Sequence, residues 1–160
     1  MDEQELLTQL AMVLDDELEQ VHSLSYEFTV LASLVASDQS SWIPRSVSAL
    51  QSASEELRLT DLRRAAVTIG VTTACGLQHD ARLEEIVGEL PDEWKVILDE
   101  RRRVLLEEVA DLQSVADLTI SAVNRRSALA EEALAFLRSD DGSTYGRRSA
   151  PRPRIVRGAM

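Results

Sequence analysis

Between Asp92 and Arg138 the chain reads DEWKVILDERRRVLLEEVADLQSVADLTISAVNRRSALAEEALAFLR, with neither glycine nor proline. Leu105, Val109, Leu112, Ala116, Ile120, Val123, Ser127, Ala130, Leu134 and Leu137 recur at steps of three and four, which places them on one stripe of an α-helix. The spacing predicts one helix over the whole stretch. At 1.5 Å per residue it is roughly 70 Å long, more than a compact domain of this size needs, so it must lie along other long helices or another chain. Pro91 stands just before it, and Asp92 and Glu93 put negative charge at the positive end of the helix dipole. Ser139-Asp140-Asp141-Gly142-Ser143 gathers turn-favouring residues and is expected to end it.

A second periodic stretch precedes it. From Glu3 to Ala36 the positions Leu7, Leu10, Leu14, Leu18, Val21, Leu24, Phe28, Leu31 and Val35 keep the same spacing, with Asp2 and Glu5 at capping-box distance. Small polar residues from Ser37 to Ser41 compete for backbone hydrogen bonds and predict a turn. Trp42, Val47, Leu50, Ala53 and Leu57 resume the pattern, and Pro44 is tolerable in a first helical turn. Leu62, Ala65, Ala66 and Ile69 are expected to carry this helix through Arg58-Asp61 to about Cys75, with Gly76 ending it. The β-branched run Val67 to Thr73 has weak helix propensity, but a lone strand would have no partner. A short amphipathic segment, Arg82 to Glu89, completes the prediction.

The fold class expected is all-α: an antiparallel bundle of three long helices with a short connecting helix and a disordered C-terminal tail. Residues 1–138 form the helical domain, and 139–160 a flexible basic tail. Composition agrees, since 44% of residues are hydrophobic but only 4% aromatic, so the core is built from Leu, Val and Ala. The net charge of −11 argues against a nucleic-acid-binding body. That charge is uneven: residues 139–160 carry about +3 and the rest about −14. Cys75 is the single cysteine, no apolar run approaches the ~18 residues that span a bilayer, and the first residues are acidic, unlike a secretory signal. A cytoplasmic protein without membrane insertion is expected.

Candidate chemistry is sparse. Glu19 and His22 have the spacing of a carboxylate-bridged metal motif, but a di-metal bundle needs a second copy, and His79 has no Glu three residues before it. Cys75 lacks any evident base, and Asp99-Glu100-Arg101-Arg102-Arg103 reads as a solvated, self-compensating face. With no phosphate loop, zinc cluster or catalytic signature, the chain is expected to bind and not to catalyse, using neither cofactor nor metal. The C-terminal half of the long helix is rich in small residues, including Ala116, Ala122, Ser127, Ala128, Ala130 and Ala133. Small residues either permit close packing of neighbouring helices or leave a shallow groove for a partner's amphipathic helix.

The order of these features resembles the FlgN family of flagellar type III export chaperones. The resemblance is carried by Asp15-Asp16-Glu17-Leu18-Glu19 in the first helix, Leu34-Val35-Ala36-Ser37-Asp38 at its end and Glu55-Glu56-Leu57-Arg58 in the middle helix. Val123-Asn124-Arg125 in the long helix and Ser143-Thr144-Tyr145-Gly146 in the tail complete it. It implies a cytoplasmic chaperone that binds the hook-filament junction proteins FlgK and FlgL and hands them to the flagellar export gate protein. Its tail motif implies gate contact through Tyr145, and the groove reading of the long helix places client binding along Ala116, Ile120, Val123, Ser127, Ala130, Leu134 and Leu137; Arg147 and Arg148 stand beside Tyr145 to steer it toward an acidic surface. The other expectation from the helical stripe is a coiled-coil adaptor or scaffold subunit holding a permanent helical partner.

Overall fold

The computed structural model describes residues 2–144. It contains α1 (Glu3–Ala36), a 3-10 turn (Ser40–Trp42), α2 (Ile43–Ala74), α3 (Leu83–Glu89) and α4 (Asp92–Thr144), with no strand among the described residues. Three long helices and one short connecting helix are therefore present as the spacing predicts. The chain falls into two units, Met1–Val123 and Asn124–Met160. In the second, the described residues 124–144 are helix. Of the expected tail 139–160, residues 139–144 continue the helix, while residues 145–160, including Tyr145, Arg147 and Arg148, lie outside the described residues.

Within the first unit, Leu6, Asp16 and Glu17 of α1 meet Gly70, Arg63 and Arg64 of α2, in reversed order along the chain. Asp15, His22 and Phe28 of α1 meet Arg101, Glu108 and Thr119 of α4 in the same order. Consecutive long helices thus alternate in direction, and α1 and α4 run parallel. One cluster joins Leu7, Leu10 and Leu14 of α1 to Val71 of α2, Ile86 and Val87 of α3, Leu90, and Leu98 of α4. A second joins Val21 and Leu24 to Ala53 and Leu112. The short α3 closes the first cluster; it begins with the Glu85 carboxylate accepting the Arg82 backbone N–H at 3.1 Å, half of a capping box.

The helix ends follow local chemistry. At the end of α2 the Leu77 N–H donates to the Thr72 carbonyl (2.8 Å) and the Gly76 N–H to Thr73 (3.3 Å), a Schellman motif with Gly76 at φ +69°. The end of α1 is built the same way, with the Gln39 N–H donating to Leu34 (3.0 Å), but the left-handed position belongs to Asp38, at φ +58°. Pro44 sits in the first turn of α2 as expected. The Asp2 side chain makes no capping hydrogen bond, contrary to the expected capping box. Glu3 and Glu5 still place charge in that first turn, where they act on the helix dipole without a directed bond. The long helix does not stop at Arg138 but runs to Thr144. Extending an existing helix costs far less than starting one, so turn-favouring residues alone do not end it.

Burial departs from the predicted stripes at particular turns. Glu17, not Leu18, is the buried residue of its turn in α1, and Thr119 is 2% exposed while Ile120 is 50% exposed. In the second half of α2 the buried residues are Thr60, Val71 and Thr72, whereas Leu62, Ala65, Ala66 and Ile69 face outward. The buried threonines are possible because each returns its hydroxyl to its own helix: Thr60 to Glu56 (3.1 Å), Thr72 to Ile69 (3.0 Å) and Thr119 to Val115 (2.7 Å). With the donor satisfied, threonine packs as a small apolar residue. Gly70 allows a close approach of α2 to α1: a Cβ there would stand 3.0 Å from Leu6 Cδ2, so the leucine tip would have to shift by a few tenths of an ångström.

Two substitutions test this packing. Leu112→Ala is expected to cost about 2–5 kcal/mol in denaturant unfolding, as for other buried leucines. Asp38→Gly is expected to stabilise by about 0.5–1 kcal/mol, because glycine holds a left-handed conformation without the Cβ penalty and removes a carboxylate from the negative end of α1. A loss of stability at residue 38 would mean that the aspartate side chain is worth more than the strain.

Candidate interaction surface

The acidic run Asp15-Asp16-Glu17 is divided among three arginines. Asp15 accepts two parallel bonds from Arg101 of α4, Nε to Oδ1 at 2.8 Å and Nη2 to Oδ2 at 3.0 Å. Asp16 pairs with Arg63 (3.2 Å) and Glu17 with Arg64 (2.8 Å), both on α2. Arg64 also pairs with Asp61. The run is therefore used inside the fold, tying α1 to both neighbours. Arg102 and Arg103 do compensate Asp99, Glu100 and Glu107 on their own helix, as expected of that charge run. Arg101 is the exception, and its reach to Asp15 was not visible in one helix's spacing.

Glu17 is strained electrostatically. Burial pushes its carboxyl above the ordinary carboxylate value, and Arg64 only partly opposes this, aided in the upward direction by Asp61. Although Arg64 Nε lies 2.8 Å from Glu17 Oε2, neither atom has an aligned hydrogen-bond partner.

The other singled-out side chains fall on the surface or at a helix end. His22 Nε2 lies 3.1 Å from Glu108 Oε2 on α4, while Glu19 is exposed; among the described residues no group of three or more potential ligands converges. Cys75 is half-buried at the end of α2, and burial, with the Glu3 carboxylate adding to it, pushes its thiol up. That direction favours the protonated thiol over the nucleophilic thiolate.

The residues assigned to client binding divide. Ala116 and Val123 are half-buried and Ile120 half-exposed within the first unit. In the second unit Ser127, Ala130, Leu134 and Leu137 are all exposed. They are accompanied there by Leu129 (61% exposed) and Phe136 (67%), two large residues that the sequence reading did not assign to the site. Leu129, Ala133 and Phe136 occur at steps of four and three beside Ala130, Leu134 and Leu137, so the apolar face is broader than a single stripe. Their helical spacing is present in the sequence, interleaved with the small residues. An exposed face of this kind can pack against an apolar helix face from another molecule.

No helix among the described residues is long and apolar enough to cross a membrane. Comparisons with protein-family models, with curated proteins and with solved structures give no match.

The burial of Glu17 makes stability depend on pH. Because native Glu17 holds its proton more tightly than the unfolded chain does, its own contribution to stability is fully present below the unfolded carboxylate value and is lost as pH rises through the native one. Glu17→Gln is therefore expected to raise the melting temperature at pH 7 and to leave it unchanged in acid, where the natural side chain is already neutral. A lowered melting temperature at pH 7 would show that the pairing with Arg64 outweighs desolvation.

Proposed function

We propose that this chain is a cytoplasmic helix-binding export chaperone of the FlgN type, acting without catalysis. Its clients are hook-filament junction subunits of the FlgK and FlgL kind, which it covers and passes to the flagellar export gate. The observation that carries the reading is the exposed apolar face of residues 124–138, where Leu129, Leu134, Phe136 and Leu137 are each 51–67% exposed. Scattered exposed leucines are ordinary, but a contiguous helical face of large apolar residues marks an interaction site. The order of motifs along the chain, the three long helices and the acidic composition support the same reading. An acidic body also disfavours retention by nucleic acid.

The division of labour assigns client binding to the α4 face and gate contact to Tyr145, with Arg147 and Arg148 steering it toward an acidic partner. Client release needs no nucleotide, because exchange of helical partners conserves the buried area. A coiled-coil adaptor would use the same face for a permanent partner. The two differ in that a chaperone is stable alone and binds reversibly.

Ala130 is exposed, so Ala130→Glu is expected to leave the unfolding free energy within about 0.5 kcal/mol of the natural chain. Client affinity measured by calorimetry should fall at least tenfold, since the carboxylate is desolvated in the complex. Equal loss of stability would place Ala130 in ordinary packing. Tyr145→Ala should leave client affinity intact while abolishing gate binding; the opposite pattern would assign Tyr145 to the client site.

A further inference from the structure

Where the last turns of α1 meet the 3-10 turn and the first turns of α2, a cleft of about 510 Å³ opens to solvent. Tyr26 and Trp42 flank it, 66% and 53% exposed, and Val30 and Leu34 contribute apolar lining. Glu27 and Arg45 also line it, and neither makes an ion pair among the described residues. Ser46, only 5% exposed, lines the same cleft with a buried hydroxyl that has no hydrogen-bond partner. Nothing in the proposed client or gate contacts uses these residues.

We infer that this cleft is a homodimer interface, occupied by the same cleft of a second copy of the chain. Charge complementarity under a two-fold axis singles out this occupant. In an isologous interface each residue meets its counterpart's partner, so Glu27 faces Arg45 of the second copy while Arg45 faces its Glu27. One anion and one cation at a single cleft, neither in an ion pair among the described residues, are what that symmetry satisfies; a partner of one charge sign would pair one and repel the other. The aromatic residues fit the same arrangement, since Trp and Tyr are the side chains that anchor interfaces and both line this cleft. Two aromatics per copy supply only part of the roughly 800 Å² per partner of a standard interface, so the dimer is reversible and depends on protein concentration.

The experiment is sedimentation velocity of the full chain from low to high micromolar concentration. The natural chain is expected to pass from monomer to dimer, and Trp42→Ala to weaken the dimer at least tenfold. Glu27→Arg and Arg45→Glu are each expected to be monomeric alone, because each places like charges opposite one another. Mixing these two variants should restore a dimer, since every cross pair is then of opposite sign; the doubly exchanged chain should dimerise by itself. Circular dichroism on each variant checks that the surface substitutions leave the helices intact. A chain that stays monomeric at every concentration overturns the inference, as does a dimer indifferent to Trp42→Ala or a mixture of the two charge variants that fails to associate.

Discussion

The burial of α1 between α2 and α4 is the contact on which the rest of the first unit depends. Leu7, Leu10 and Leu14 supply one core cluster and Val21 and Leu24 the other, so both clusters are assembled on the same helix. Apolar packing of this kind is strong but tolerant of sliding, since leucine stripes interdigitate in more than one register. Between the clusters, the acidic run removes that freedom. Asp15 reaches Arg101 with a two-pronged bond while Asp16 and Glu17 reach Arg63 and Arg64. Each exposed pair contributes at most about 1 kcal/mol, so their effect is on register more than on stability. A slip of one turn along α2 would separate Asp16 and Glu17 from their arginines, and one along α4 would separate Asp15 from Arg101.

This arrangement explains why a charged residue is retained at a buried position. Glu17 is held against its desolvation cost by Arg64, and replacing the pair with apolar residues would save that cost while loosening the alignment. The buried threonines pose no such conflict, because their hydroxyls are satisfied within their own helices. Polar burial in this protein therefore has two forms, one that specifies the neighbour and one that merely permits close packing.

The three long helices were legible in the sequence because three-and-four spacing is a property of each segment alone. So was the helical ending at Gly76, where a local signal coincides with the end of the pattern. What was not legible depended on neighbours. The outward turn of Leu62 and Ile69 reflects which face of α2 meets α1, and Arg101 differs from Arg102 and Arg103 only by facing Asp15. Thr119 and Glu17 displaced Ile120 and Leu18 because burial follows the geometry of the helix pair, and hydropathy alone ranks them the other way. For the candidate site, the spacing located the apolar face but underrated Leu129 and Phe136.

The functional account rests on the difference between buried and exposed apolar surface along α4. Leu98 and Leu112 are buried, whereas Leu129, Leu134, Phe136 and Leu137 are more than half exposed. Helical backbone without buried apolar contacts opens readily, so residues 124–138 should lie at the low-stability end of the molecule. A client helix would supply the missing contacts. Hydrogen exchange of the chain, free and with a hook-filament junction subunit, measures this directly. The account predicts slow exchange around Leu98 to Leu112 in both states, and fast exchange over 124–138 that becomes slow when the subunit is added. Unchanged exchange over 124–138, with new protection elsewhere or none, would contradict it.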